Sequence, residues 1–297
     1  MLSFKKIESS DLEVIKKYMQ QQVFGTCDYT VFGIYLWSDY YSYAYCVYKD
    51  TFFLKRLSDD TVHDFAVPVG RLPVVTAIEY IKEYCEKNEI TPRFYFVPET
   101  ALEYFQGADI KQLDGWSDYI YNAEDLKTLR GHRFNKKRNR LNKFIKNCEN
   151  CFGSNCCRFE PITTENIEEA KHFFDVYLTD YTKQEEHFTA ESVLIRRVLD
   201  DFFNIGQSGG LLFIKDKPVA MTIGEVIGDT LYVHVEKALR EYEGAYEAIN
   251  YAYANQNATG DVQFINREED MGDEGLRQAK MAYNPVKLIH KYEIMIP

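Results

Sequence analysis

The sequence predicts a mixed α/β (α+β) protein that is built from two similar modules in tandem. Three observations predict this class. Strands with alternating apolar residues lead into helical patterns along the chain, hairpins interrupt that alternation, and the pattern of the first half returns in the second. The chain has 297 residues, of which 45% are hydrophobic, and this is enough for two ordinary cores.

The duplication begins with two segments that align without gaps, SFKKIESSDLEVIKKYM from Ser3 and RFEPITTENIEEAKHFF from Arg158. In this alignment Phe4 meets Phe159. Each segment has the pattern of a short strand, a helix cap and a helix. Any strand–turn–helix unit resembles another to this extent, so this match alone leaves the duplication open.

A hairpin follows in each half. YSYAYCVYKDTFFLKRL turns at Lys49-Asp50, and GGLLFIKDKPVAMTIGEVI turns near Asp216-Lys217. Because the second pair of elements repeats the first in the same order, the hairpins favour duplication over chance likeness.

Each half then has a strand that leads into a helix. In the first half, DFAVPVG precedes a helix over 76–87, for which Thr76 and Glu79 form a capping box. In the second half, TLYVHVEKA precedes a helix over 245–254. These elements extend the repeat.

A last strand and helix complete each half: RFYFVP with ETALEYF, and DVQFI with the helix around Leu276. The predicted modules are residues 1–147, which end in a basic helix, and residues 148–297, which carry the candidate active cleft. They join near residues 147–157.

Composition narrows the class of protein. The net charge of −11 argues against a surface built for nucleic acid or an anionic membrane. No apolar run approaches the roughly 20 residues of a membrane helix, and the first residues lack the apolar centre of a secretory signal. We expect a cytoplasmic protein without stable membrane association. Its seven cysteines are then reduced thiols.

The order strand, helix, helix, hairpin, strand, helix, strand, helix and closing strands resembles the GNAT acyltransferase plan. Two such modules in tandem resemble the FemABX aminoacyltransferases. More closely, the chain is similar to the soluble branch of the phosphatidylglycerol lysyltransferase C-terminal domain family. The segments that carry this resemblance are YNAEDLKTLRGHRFNKKRNRLNKF, VHVEKALREYEGAYEAIN and INREEDMGDEGLRQAKMAYNPVKLIHKY.

The resemblance implies an aminoacyl or acyl transferase that moves an aminoacyl group from a charged tRNA to a small polar or amino acceptor. Aminoacyl-tRNA is then the donor substrate and tRNA the partner, and the resemblance assigns no certain cofactor. One alternative is an N-acetyltransferase that uses acetyl-coenzyme A. The other is a non-catalytic protein that binds RNA or a phosphorylated ligand.

The stretch 262–287 is the strongest candidate for a site. A buried strand there leads directly into five polar residues, and a helix follows that presents Arg277 and Lys280 one turn apart, with Tyr283 at its end. Charges of both signs converge where a strand ends, as they do in many ligand sites. The alternative is a solvated acidic turn before an amphipathic helix.

The strand YVHVE places Tyr232, His234 and Glu236 on one side, which predicts the water-lined wall of a cleft or a strand face open to solvent. On the GNAT plan this strand splays from DVQFINRE. Acyl transfer requires an oxyanion stabiliser and a proton acceptor. The candidate catalytic residues are Glu236, Glu268 and Lys280, and the candidate substrate-binding residues are His234, Lys237, Asn266, Arg267, Asp270, Arg277 and Tyr283.

Within that set, Lys280 or Arg267 can stabilise the oxyanion or the leaving ribose oxygen. Glu236 or Glu268 can act as the base or hold the α-ammonium group of the donor. Spacing does not decide between these carboxylates. The resemblance supports Lys280 in particular, because the family motif places a lysine shortly before an aromatic residue and a proline.

A basic strip covers residues 127–146, which contain no acidic residue. It predicts a binding site for the phosphates of a tRNA or nucleotide; the alternative is an ordinary solvated helix face. Leu141 and Phe144 are expected to dock the helix on the core. The candidate phosphate-binding or tRNA-binding residues are Lys136, Lys137, Arg138, Arg140 and Lys143.

Two motifs are weak. In GNAT enzymes a glycine-rich loop opens the helix that holds the coenzyme A pyrophosphate. Here Arg240 and Gly244-Ala245 depart from that pattern, and nearby acidic residues would repel pyrophosphate. The cysteines at 148, 151, 156 and 157 lack the two separated pairs of a zinc site, so we expect a connecting loop and no metal. The tyrosines of 29–48 are expected in core and hairpin packing, and the alternative is a stacking surface for bases.

Overall fold

The computed structural model describes residues 1–57, 62–182 and 190–296. It confirms the predicted class, since two mostly antiparallel sheets are flanked by helices. The strands are β1 (Lys5–Lys6), β2 (Ala44–Tyr48), β3 (Thr51–Leu57), β4 (Val62–Phe65), β5 (Val69–Gly70), β6 (Thr91–Pro98), β7 (Asp109–Gln112), β8 (Asp118–Asn122), β9 (Cys157–Pro161), β10 (Ser208–Ile214), β11 (Lys217–Ile227), β12 (Thr230–Ala238), β13 (Phe264–Asn266), β14 (Lys287–Ile289) and β15 (Lys291–Met295).

The helices alternate with these strands and are amphipathic where they are long. They are α1 (Leu12–Met19), α2 (Val31–Trp37), α3 (Val74–Asn88), α4 (Ala123–Thr128), α5 (Asn135–Phe152), α6 (Ile167–Thr182), α7 (Ala190–Asp200), α8 (Phe202–Ile205), α9 (Ala245–Asn257) and α10 (Glu274–Met281). Short 3₁₀ turns add Ser9–Asp11, Cys27–Tyr29, Glu99–Tyr104 and His132–Phe134.

The chain forms two compact units that are not contiguous in sequence. Unit 1 comprises Met1–Tyr119, Glu268–Arg277 and Leu288–Pro297, and unit 2 comprises Ile120–Arg267 and Gln278–Lys287. These units differ from the predicted modules because each contains segments from both halves of the chain. The division of the repeat at residues 147 and 148 stays a prediction.

Unit 1 is built on a sheet with the strand order β1-β2-β3-β4-β6-β15-β7. In addition, β5 pairs with the first two residues of β3. Among the described strands of this first sheet, only the β4–β6 pair is parallel. Ile15, Phe53, Phe65, Ile81 and Phe94 are almost completely buried and form its core.

Unit 2 is built on a sheet with the order β14-β8-β13-β12-β11-β10-β9. Its parallel pair, β12 with β13, corresponds to β4 with β6 in unit 1. Leu211, Ile223, Leu231, Ile249 and Ile265 are buried at the centre of this unit.

The two strand orders confirm the predicted duplication and add an exchange of strands. β1-β2-β3-β4-β6 repeats as β9-β10-β11-β12-β13. The next position is then filled from the other half of the chain: β15, the last strand, follows β6 in the first sheet, and β8 follows β13 in the second. Each sheet is therefore completed by a strand from the opposite repeat.

The predicted hairpins are present. β2 and β3 turn at Lys49-Asp50, where both residues have positive φ, as a two-residue turn of a twisted hairpin requires. β10 and β11 turn at residues 215–216, one residue earlier than predicted. The predicted start of α3 is wrong, because this helix begins at Val74 behind Pro73, and Thr76 lies inside it.

Candidate functional site

The pairing of the parallel strands β12 and β13 in unit 2 ends before β12 does, as the GNAT plan implies. Their pairing ends at Tyr232 opposite Asn266, while β12 continues to Ala238. Glu236 and Arg267 lie beyond the last paired residues. Across this gap Arg267 Nη2 donates a hydrogen bond of 2.8 Å to Glu236 Oε1. The gap therefore contains an ion pair whose two side chains are only 13% and 11% exposed.

Aromatic rings flank the guanidinium of Arg267. It lies 4.7 Å from the ring centre of Tyr283 and 5.8 Å from that of Tyr121. Burial alone would lower the pKa of Arg267, but the Glu236 carboxylate raises it above its ordinary value. The side chain is therefore a permanent cation in a poorly hydrated place.

One nitrogen of this guanidinium has no hydrogen-bond partner. Arg267 Nη1 is buried, and none of the described residues accepts a hydrogen bond from it. A buried donor without an acceptor costs roughly 1–3 kcal/mol, so such groups are rare unless a ligand satisfies them. Nη1 therefore keeps the capacity to donate a hydrogen bond to an acceptor atom of a ligand.

Glu236 is held on both oxygens. Its Oε1 accepts from Arg267 and its Oε2 accepts from Asn250 Nδ2 at 3.0 Å. Asn250 is buried on α9. A carboxylate whose two oxygens both accept hydrogen bonds is suited to fix Arg267 in place.

A second ion pair, between Lys137 and Glu247, also lies beside Tyr283. Lys137 Nζ is 4.0 Å from the ring centre of Tyr283 and donates to Glu247 Oε1 at 3.2 Å. Burial lowers the pKa of Lys137, and Arg267 and Arg140 act in the same direction against the opposing effect of Glu247. Tyr283 thus contacts two cations, one of which releases its proton more easily than a surface lysine.

Lys280 connects Arg267 and Tyr121 through two hydrogen bonds that involve main-chain carbonyl groups. Its Nζ donates to the carbonyl oxygen of Arg267 at 2.5 Å, and its own carbonyl accepts from the hydroxyl of Tyr121 at 2.8 Å. The structure therefore brings together Glu236, Arg267, Lys280 and Tyr283 of the predicted set. Their roles in a reaction stay predictions.

The expected water-lined strand face is wrong for its first two residues. Tyr232 and His234 are buried, and His234 Nε2 lies 3.1 Å from Glu225 Oε1. His234 lies at a register shift between β11 and β12, which turns its side chain into the unit. Asn266 is also completely buried, and Lys237 pairs with Glu191 at 3.3 Å.

The remaining predicted residues of the 262–287 stretch lie in unit 1. Arg277 binds Asp270 through Nε at 2.9 Å and Nη2 at 3.0 Å, and Tyr119 donates to Asp270 at 2.6 Å. Burial would raise the pKa of Asp270, but the hydrogen bonds from Arg277 and Tyr119 lower it. Glu268 has a left-handed φ of 59°, and its carbonyl accepts from the backbone of Tyr119.

The basic strip is less uniform than predicted. On α5 Lys136 is exposed, but Lys137 is buried, and Arg138 donates to the backbone of Leu129 and to Asn135. Lys137 and Arg138 are therefore corrections to the predicted phosphate-binding face.

The next two members of the strip pair with acidic residues of the same unit. Arg140 contacts Glu247 at 3.4 Å, and Lys143 contacts Glu243 at 2.7 Å. Leu141 and Phe144 dock the helix, as predicted.

The loop before α9 packs tightly on α5. Gly244 has φ of 91°, and a Cβ at this position would lie 2.7 Å from the carbonyl oxygen of Arg140. Glu243 and Glu241 form ion pairs with Lys143 and Lys217 in the same region. Because the helix start is covered and flanked by carboxylates, it is a poor cradle for pyrophosphate.

The cysteine group is not a single loop. Cys148 and Cys151 belong to α5, which corrects the expected connecting loop, and the sulfurs of Cys156 and Cys157 are 3.8 Å apart. The predicted burial of aromatic residues holds for Tyr29, Tyr35 and Tyr45, whereas Tyr40 is 58% exposed.

Sequence reasoning missed Asn250 and Glu247. Both lie one turn apart on α9, whose other inward positions are alanine, isoleucine and tyrosine. Polar residues at helical spacing among small apolar ones were the available signal. It also missed Tyr121, whose contact with Arg267 depends on the strand exchange of β8.

Comparisons with known proteins agree with this architecture. A profile of the family described as "Phosphatidylglycerol lysyltransferase, C-terminal" matches residues 24–295. A curated relative, an uncharacterized protein from Mycoplasmoides gallisepticum, is 21% identical over 184 residues. That match covers 61% of this chain and 56% of the relative, so the chain spans little more than half of that protein.

Among solved structures, a conserved protein of unknown function from Bacteroides thetaiotaomicron is 30% identical, with a TM-score of 0.89 and 100% of both chains covered. The C-terminal domain of a putative lysylphosphatidylglycerol synthetase from Agrobacterium fabrum has a TM-score of 0.70 at 11% identity, with 97% and 92% covered. FemX has a TM-score of 0.63 at 8% identity, with 99% and 98% covered. The predicted tandem GNAT-like fold is confirmed, and family and fold fit an acyltransferase of this type.

Proposed function

Because the chain belongs to the phosphatidylglycerol lysyltransferase C-terminal family, we propose that it transfers an aminoacyl group from a charged tRNA to a small polar or amino acceptor. The observation that carries this proposal is the buried Nη1 of Arg267, which has no acceptor among the described residues. It is a charged donor beyond the last paired residues of β12 and β13, and we assign it to the carbonyl oxygen of the acyl group.

Arg267 has the properties of an oxyanion stabiliser. When an acceptor attacks the ester carbonyl of the donor, negative charge develops on the carbonyl oxygen. A donor that is already oriented stabilises this charge without reorganising. Glu236 fixes Nη2, Tyr283 packs on the guanidinium, and Lys280 holds the carbonyl of the same residue. We therefore assign Glu236 and Lys280 as positioning residues.

Lys137 is the candidate for proton transfer. The acceptor loses a proton as the new bond forms, and the leaving ribose oxygen of the tRNA gains one. An ammonium group whose pKa is lowered by burial gives up its proton readily to such an oxygen and then takes up the proton of the acceptor. Its contact with Tyr283, which Arg267 also touches, supports this role.

Two features favour tRNA over coenzyme A as the donor. The start of α9 is covered by α5, so the usual pyrophosphate cradle is closed by backbone contact. In contrast, Lys136 is exposed on α5, and Arg140 and Lys143 are also largely exposed beside their acidic partners. Basic side chains on one helix suit a sugar–phosphate backbone.

The test is a donor screen with the purified chain. Aminoacyl-tRNAs that carry each labelled amino acid, and labelled acetyl-coenzyme A, are incubated with a mixture of amines, amino acids, dipeptides and phosphatidylglycerol vesicles. We expect transfer from one or a few aminoacyl-tRNAs and none from acetyl-coenzyme A. Transfer from acetyl-coenzyme A alone would overturn the proposal. Tight binding of tRNA without discharge would favour the non-catalytic alternative.

A further inference from the structure

Unit 1 contains a separate pocket with charges of both signs and aromatic walls. The empty space in it is about 360 Å³, its open mouth included. The lining residues that matter here are Asp28, Tyr43, Arg56, Asp64, Tyr95 and Phe96. None of them belongs to the Arg267 site of unit 2.

Arg56 is held so that part of its guanidinium remains available. Its Nε donates to the buried Asp64 at 2.6 Å, and the rings of Tyr41 and Tyr95 lie 4.9 and 4.2 Å from its central carbon. Neither Nη atom has a hydrogen-bond partner among the described residues. A guanidinium that is fixed at Nε and stacked on rings presents its two Nη atoms to a carboxylate in bidentate geometry.

The other charged wall is acidic. Asp28 Oδ2 lies 2.7 Å from Lys291 Nζ, and the same ammonium group contacts Asp118 at 2.7 Å and Glu269 at 3.4 Å. One buried cation therefore serves three carboxylates. Asp28 lines the pocket, and a cation that enters there stabilises its carboxylate against the burial that raises its pKa.

A β-bulge in β6 orients two aromatic residues that line the pocket, Tyr95 and Phe96. Tyr95 and Phe96 both lie opposite Glu293, because the register of β6 and β15 shifts at this point. Phe96 has φ of 53°, a left-handed backbone conformation that glycine adopts easily but that is costly for an aromatic residue. Strain of this kind is found where a side chain must reach a ligand. Here it turns a pair of rings, with centres 4.4 Å apart, to the pocket.

We propose that this pocket binds a free α-amino acid with an apolar side chain. The carboxylate of the ligand accepts hydrogen bonds from Nη1 and Nη2 of Arg56. Its ammonium group lies on the side of Asp28, and its side chain packs on Tyr95 and Phe96. This inference does not depend on the transfer reaction proposed above.

Isothermal titration of the full chain tests the proposal with leucine, phenylalanine and two matched analogues. Leucinamide lacks the carboxylate and 4-methylpentanoic acid lacks the ammonium group. We expect leucine or phenylalanine to bind, and both analogues to bind about tenfold to hundredfold more weakly, as for the loss of a charged hydrogen bond. The absence of binding by any of the common amino acids would overturn the proposal. Equal binding of either analogue would also overturn it.

Variants identify the site. Arg56→Gln and Asp28→Asn are each expected to weaken binding about tenfold or more. The matched control is Arg93→Gln, because Arg93 binds the same Asp64 but does not line the pocket. Glu236→Gln should also bind normally, since Glu236 belongs to unit 2. Unchanged binding in Arg56→Gln, or an equal loss in Arg93→Gln, would contradict the assignment. If Arg56→Gln fails to fold, Arg56→Lys replaces it with the same criteria.

Discussion

At the scale of single residues, buried charges in this chain are paired but not balanced. Within the part of the chain that the structure describes, the pair of Arg267 and Glu236 in unit 2 leaves one guanidinium nitrogen unsatisfied. In unit 1 Lys291 faces three carboxylates and the thiol of Cys27. Imbalances of this kind reduce stability, and they are concentrated where ligands complete the pairing.

Asp28 gives the first prediction, because burial raises its pKa to about 7 in the folded chain. Between about pH 4 and 7 the folded state holds a proton that the unfolded chain has lost, so stability falls as the pH rises through this window. We expect Asp28→Asn to remove this fall, which is on the order of 2–4 kcal/mol. The titratable and charged groups around Asp28 are Cys27, Tyr29, Tyr43, Asp118, Glu269 and Lys291.

The measurement is urea denaturation of the wild type and Asp28→Asn from pH 4.5 to 8. The exposed Asp50→Asn serves as the control and should keep the fall, because Lys17 and Tyr18 lower the pKa of Asp50 instead. Parallel pH profiles of the wild type and Asp28→Asn would show that another group causes the dependence.

At the scale of elements, the contact between α5 and the loop before α9 is a tight local constraint near the site. Gly244→Ala places a methyl group 2.7 Å from the carbonyl oxygen of Arg140 at a positive φ. We expect it to destabilise unit 2 by about 2–5 kcal/mol, as strain and overpacking add. The matched control is Gly260→Ala, which has φ of 60° and open space, and should cost only about 1–2 kcal/mol. Equal losses in chemical denaturation would show that α5 does not press on this loop.

The exposed side of α5 gives a prediction about RNA. Lys136→Glu with Lys143→Glu should weaken tRNA binding and lower the slope of log affinity against log salt by about 0.7–0.9 per lost contact. Lys217→Glu is the control, because Lys217 is a similarly exposed partner of an acidic residue, Glu241, in the same unit. An unchanged slope in the double variant, measured by filter binding, would remove α5 from the interface.

The sequence predicts elements better than contacts. Period-two and period-three-to-four patterns locate both hairpins, α9 and α10, because burial imposes those periods. The start of α3 is missed because Pro73, which makes no side-chain cap, stands at the N-cap position, so that the expected capping box at Thr76 lies inside the helix. The pairing of Glu236 with Arg267 follows from the splayed strands, whereas Asn250 and Tyr121 approach them only through tertiary packing. The burial of His234 depends on a register shift that spacing cannot reveal.

At the scale of the whole molecule, the exchanged strands make the two repeats interdependent. β15 pairs with β6 and β7 inside the first sheet, and β8 pairs with β13 inside the second. The sequence repeat predicts consecutive modules and gives no sign of this exchange, because both strands have the same alternating pattern. Among the described residues, no helix is long and apolar enough to cross a membrane.

A division of the chain tests this interdependence. We expect fragments 1–147 and 148–297 to lack cooperative unfolding when expressed alone, since each lacks a strand from within its sheet. When they are co-expressed, they should associate and recover the thermal transition of the intact chain. Independent cooperative unfolding of either fragment, seen by calorimetry, would contradict the exchange.

The most direct measurement of the central claim is single-turnover transfer by Arg267→Lys with the aminoacyl-tRNA that the wild type uses. Lysine keeps the charge but lacks the second nitrogen that faces the gap. We expect the rate to fall about 10²–10³-fold, as for the loss of one oxyanion donor. Arg158→Lys, a change at the exposed partner of Glu160, should retain the wild-type rate. A wild-type rate in folded Arg267→Lys would contradict the assignment of this gap as the site of acyl transfer.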